Sequence, residues 1–122
     1  TGALWGLWHW PVIAMGHNYG LNYPGYPFVG ILLMIWFCTT MGVVVGWWTI
    51  RARSVWPAVI AHALLNGMAA VPAFFVAGEP MPLVGPLAVA FIGGLGFTIV
   101  AAIVLILPGA LTPPVEETAL DG

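Results

Sequence analysis

Residues 28–48 read FVGILLMIWFCTTMGVVVGWW and hold no charged side chain. As a helix rising ~1.5 Å per residue the run is roughly 32 Å long, which matches the ~30 Å hydrocarbon core of a bilayer. The rest of the chain has the same character. It is 61% hydrophobic and 5% charged over 122 residues, with a mean hydropathy of +1.04. A soluble domain carries about 25% charged residues, and two arginines with four acids cannot build a water-facing surface. The class is therefore an integral membrane protein.

Working outward, three more apolar segments flank this run. The reading is an all-α, polytopic membrane bundle of about four spans within residues 1–107. Helix A covers about Ala3 to His17, helix B Phe28 to Trp48, helix C Val55 to Phe75 and helix D Leu83 to Leu107. The connections carry turn chemistry. The first, GHNYGLNYPGYP from Gly16 to Pro27, has three tyrosines suited to a membrane interface. TIRARS from Thr49 to Ser54 holds both arginines, and AGEPMP from Ala77 to Pro82 interrupts the apolar run. Residues 108–122 form a polar, acidic tail expected to be disordered. Arg51 and Arg53 place their turn, and with it the tail, on the cytoplasmic side. No basic n-region or cleavage pattern marks a signal peptide, and the opening inside an apolar segment reads as part of a longer chain.

Several residues are assigned structural roles. Ser54 is expected to cap helix C, with Pro57 in its first turn. Cys38 reads as a small lipid- or helix-facing residue. His17 reads as an interfacial residue in its loop, and Trp8, Trp10, Trp36, Phe37, Trp47 and Trp48 as packing or belt aromatics. Gly2 and Gly6, Gly42 and Gly46, and Gly93, Gly94 and Gly96 stand at spacings that let helices approach closely in lipid. Glu79 is expected in a solvated loop. The net charge of −2 offers no basic surface for nucleic acid.

Polar side chains inside a bilayer are costly and ask for a reason. Helix A carries His9 in LWGLWHWP. Helix C carries His62 and Asn66 in SVWPAVIAHALLNG. His62 and Asn66 are spaced i, i+4 and share one helix face, as do Trp5 and His9. Counted from Ser54, His62 lies about 12 Å along helix C. If helix A continues to Tyr19, His9 lies about 15 Å from the opposite face. The sum, about 27 Å, puts both histidines at similar depth in a ~30 Å core. A pocket between helices A and C is the expectation, with Pro11 loosening helix A by freeing the Leu7 carbonyl.

WGLWH followed by Trp10-Pro11 resembles the second motif of the CAAX-protease and bacteriocin-processing family, with Trp where Phe is usual. SVWPAVIAHALLN resembles that family's third motif. The first motif, a Glu pair followed by three residues and an Arg, has no match. Glu116-Glu117 is followed by Asp121 where Arg belongs and lies in the tail, so the family's Glu pair is expected upstream.

The resemblance implies an intramembrane endopeptidase acting on prenylated or other membrane-associated protein substrates, with water activated by Glu. His9, His62 and Asn66 would form its catalytic pocket. Asn66 fits an oxyanion donor. His9 and His62 could instead be two ligands of a zinc ion with Glu as third, so metal content stays open. Two other readings also stay open. One is a non-catalytic immunity or scaffold protein whose histidines tie helices together; the other is a transporter piece with a His proton relay.

Overall fold

A computed structural model describes residues 1–78 and 81–114. Helices α1 (Gly2–Trp8) and α2 (Trp10–Ala14) come first, then the long α3 (Phe28–Ala52) and α4 (Trp56–Met68). A 3₁₀ turn at Val71–Phe75 precedes α5 (Phe91–Ile106). No strand occurs among the described residues. Helix α3 is the axis of the fold, with α1, α4 and α5 all packed against it.

Of the four spans expected, α3 alone among the described residues, at 25 residues, is long and apolar enough to cross a bilayer. The others are shortened where proline removes a backbone donor and clashes with the preceding turn. Helix A breaks at His9, and Pro11 sits in the first turn of α2. At the α1 cap the His9 N–H donates to the Gly6 carbonyl at 3.1 Å, and Pro11 has no N–H to offer the Leu7 carbonyl. Helix C stops at Met68, ahead of Pro72 in the 3₁₀ turn. The first part of helix D, with Pro82, Gly85 and Pro86, is a run of turns that folds back. Phe91 and Ile92 donate to the carbonyls of Leu83 and Val84, and only then does α5 begin.

The α1–α3 contact is made through glycines. A Cβ at Gly2 would come within 2.6 Å of the Cys38 carbonyl oxygen, one at Gly42 within 3.3 Å of Gly2 Cα, and one at Gly6 would meet the Ile35 backbone. Apolar chains are as well solvated by lipid as by one another, so helices in a membrane associate through such close approach. Gly94 packs under the Trp36 ring, whereas Gly46 and Gly96 face open space. The core beneath α1 holds Ile13, Met34, Phe37, Cys38 and Met41. Cys38 is thus helix-facing, its thiol 3.7 Å from the Met34 sulfur. On the other flank, Phe37 meets Phe97 edge-on and Trp36 stacks on Phe91.

Tyr19 and Tyr23 depart from the interfacial role expected of them, at 2% and 7% exposure. Burial, followed by the neighbouring Cys38 and Tyr23, pushes the Tyr19 phenol above its ordinary range, so it stays protonated. Its hydroxyl donates to the Val89 carbonyl at 2.7 Å, and that of Tyr26 to the Ala14 carbonyl at 2.5 Å. The loop after α2 is thereby stapled to α2 and to the turns before α5.

Residue Val55, not Ser54, is the N-cap of α4, but Ser54 Oγ still accepts the Trp56 N–H at 3.3 Å. The first part of the expected tail is folded. Residues 108–112 form turns, Ala110 is buried, and Arg51 and Arg53 donate to the carbonyls of Gly109 and Pro114. Glu79 and residues 115–122, including Glu116-Glu117, lie outside the described residues.

Candidate active site

Helices α1 and α4 lie on α3 side by side, both antiparallel to it. Between them is a cavity of about 1030 Å³, floored by α3 at Met34, Phe37 and Cys38. Trp5, Trp8, His9, Val12 and Met15 line it from the α1–α2 side, the stripe expected of i, i+3 and i+4 neighbours. His62, Leu65 and Asn66 line it from α4. The three polar residues singled out in the sequence therefore share one cavity, although their helices come from separate segments.

Trp5 joins the two sides. Its indole stacks on the His62 ring, with centroids 5.3 Å apart and planes at 29°, and lies 6.2 Å from the His9 ring. The histidines thus both contact one aromatic plate. Helical spacing then brings His9 and Asn66 to the next level, one turn beyond Trp5 and His62.

His9 sits half-buried at the junction of α1 and α2. Its Nδ1 is 2.8 Å from the Trp5 carbonyl oxygen. A carbonyl only accepts, so Nδ1 carries the hydrogen and Nε2 is left as the ring nitrogen available to a ligand. In the neutral ring Nε2 is an acceptor. Asn66, by contrast, has two N–H donors. Both His62 and Asn66 are exposed, and α4 buries no residue at all.

His17, expected only as an interfacial residue, and Asn18 also line the cavity. Asn18 is half-buried with a left-handed backbone, φ 67°, a conformation in which Asn is several-fold enriched among non-glycine residues. The GHN triplet signals a turn, but nothing in it shows which way the turn's side chains go.

No three of His, Cys, Asp and Glu lie together in a way that could hold a metal ion among the described residues. Zinc at His9 and His62 would need its third protein ligand from elsewhere.

Residues 1–68, more than half of the chain, match the family model of type II CAAX prenyl endopeptidases, Rce1-like. The chain belongs to this Rce1-like family. Neither curated proteins nor solved structures gave a match. The matched segment ends with α4 and contains His9, His62 and Asn66. It holds no Asp or Glu. Family membership makes the protein membrane-integral, in keeping with the apolar α3 and with side chains such as Leu4, Trp8 and Phe74, at 73%, 73% and 84% exposure.

Proposed function

We propose that this protein supplies the His/Asn half of an intramembrane endopeptidase site that hydrolyses prenylated, membrane-associated proteins. The observation that carries this reading is the convergence of His9, His62 and Asn66 on one cavity within the family-matched segment. A carboxylate accepts a proton from water, and the resulting hydroxide adds to the scissile carbonyl carbon. His9 Nε2 accepts a hydrogen bond from that water and orients it. Asn66 and His62 donate to the oxyanion as it forms. The C–N bond then breaks, and the leaving amine takes the proton. The carboxylate belongs to the family's Glu-pair motif, outside the matched segment. The stack of His62 on Trp5 fixes one donor, and the Trp5 carbonyl fixes the His9 tautomer. A ring left without such an anchor would have to be ordered at the moment of reaction, at an entropic cost.

The test is cleavage of a farnesylated peptide by the full-length protein in lipid. His9→Ala and His62→Ala should each lower kcat/KM by about 10²–10⁴-fold, the scale for a positioned acid–base group. Turnover retained in both variants would remove the site.

A further inference from the structure

Away from the histidines, α3, α4 and α5 enclose a second groove of about 540 Å³. Met41 and Trp48 line it from α3, Ile60, Leu64 and Leu65 from α4, and Phe97 from α5. Helix α4 runs antiparallel to α3, so the two ends of the groove differ. Trp48 and Pro57 lie at the end next to the α3–α4 turn, and Met41 and Leu65 lie deeper. The lining is apolar, yet both arginines of the chain sit in that turn, just past the groove's outer end.

We propose that this groove binds one anionic phospholipid, with an acyl chain against Ile60, Leu64 and Phe97 and the phosphate on Arg51. The site is separate from the cavity of the histidines and does not depend on its chemistry. Three observations support it. The charge is right: the described residues hold no Asp or Glu. Arg51 is exposed and reaches over the end of α5, where one N–H meets the Gly109 carbonyl at 3.4 Å. A neutral carbonyl leaves the positive charge in place, and the planar fork of a guanidinium matches a phosphate. The length is right too. From Met41 to Arg51, α3 rises about 15 Å at ~1.5 Å per residue, which is half of a ~30 Å hydrocarbon core. One leaflet's chain therefore fits between the deep end and the arginine. Finally, the arginine end has the marks of headgroup level. Trp48 and Trp56, on either side of the turn, are exposed, and tryptophan is enriched where headgroups meet hydrocarbon. Basic groups between membrane helices at that level bind anionic headgroups.

The experiment titrates the full-length protein, in nonionic detergent, with dioleoylphosphatidylglycerol or dioleoylphosphatidylcholine and counts bound lipid by native mass spectrometry. One phosphatidylglycerol should be retained, about 10–100-fold more tightly than phosphatidylcholine, the scale of one hydrogen-bonded contact to a charged group. The choline of the second lipid cancels its phosphate charge. In Arg51→Gln the ratio of the two affinities should fall towards one. Arg51 is exposed and outside the core, and the ratio is internal to each protein, so misfolding does not imitate this result. Leu64→Trp fills the groove, leaves Arg51 in place, and should abolish the tight phosphatidylglycerol. Equal affinity for the two lipids, retention of neither, an unchanged ratio in Arg51→Gln or full retention in Leu64→Trp overturns the proposal. So does displacement of the lipid by excess glycerol 3-phosphate, which would make Arg51 a site for free phosphate. Displacement by a farnesylated peptide would give the groove to the substrate's isoprenoid, and a dimer that excludes the lipid would give it to a second copy; either overturns it as well.

Discussion

The two helices that carry the candidate site are held to α3 in opposite ways. Helix α1 comes so close that backbone meets backbone at Gly2, Gly6 and Gly42. Helix α4 touches α3 through partly buried Ala61 and Leu65, and none of its residues is buried. On its far side from the histidines is an almost wholly apolar groove of about 540 Å³, between Met41, Trp48, Ile60, Leu64 and Phe97. His9 is therefore fixed by the fold itself. His62 and Asn66 ride on a helix whose placement depends on fewer contacts, with the Trp5–His62 stack among them. Loose attachment suits a wall that must admit a peptide, provided its polar groups return to one geometry.

The largest effect is expected at Gly6. A Cβ there meets the Ile35 backbone, which cannot move aside as a flexible side chain could. Gly6→Val should displace α1, lower thermal stability by about 1–3 kcal/mol or more, and abolish turnover because His9 leaves the cavity. Unfolding in detergent and peptide cleavage check both parts. A stable, active Gly6→Val protein would mean that α1 is not seated on α3 as described. A smaller effect is expected at the start of α4. Ser54→Ala removes the acceptor of the Trp56 N–H and should cost about 0.5–1 kcal/mol, with turnover per folded molecule little changed. The smallest is expected at Gly46 and Gly96, where a Cβ meets nothing within 4 Å. Gly→Ala at either should leave stability within about 1 kcal/mol of wild type, on the side helix propensity favours. A large loss there would show that these glycines pack against something beyond α1 to α5.

How far the sequence reaches can be judged from the same residues. Helix α3 is legible because an uncharged apolar run of that length has few other uses. The pairing of His62 with Asn66, and of His9 with Trp5, follows from i, i+4 spacing, which survives even where the helices are shortened. The matched depth expected of the two histidines rested on a continuous helix A, whereas the helix breaks at His9 and His62 stacks on Trp5, one turn before His9. Helix ends were less legible, since Pro11, Pro72 and Pro86 mark breaks without fixing how many residues are lost around them. Glycine spacing was informative only by half. Gly2 and Gly6 lie in a contact whereas Gly46 does not, and sequence alone does not say which face of a helix meets a neighbour. His17 and Asn18 were illegible as lining residues because a loop's path is set by distant contacts, here the Tyr19 bond to Val89 across the chain.

Asn66 offers the most direct test of the account. Its amide is the cavity's one clear neutral donor at the level of His9, and oxyanion donation and helix tying predict opposite outcomes when it is removed. In the full-length protein, Asn66→Ala should reduce kcat on a farnesylated peptide by about 10²–10³-fold, the scale for losing one oxyanion donor. Thermal stability should change little, since an interhelical polar contact in a membrane averages about 0.6 kcal/mol. An Asn66→Ala protein that melts early while each folded molecule cleaves at the wild-type rate would contradict the claim and leave Asn66 as a tie between helices.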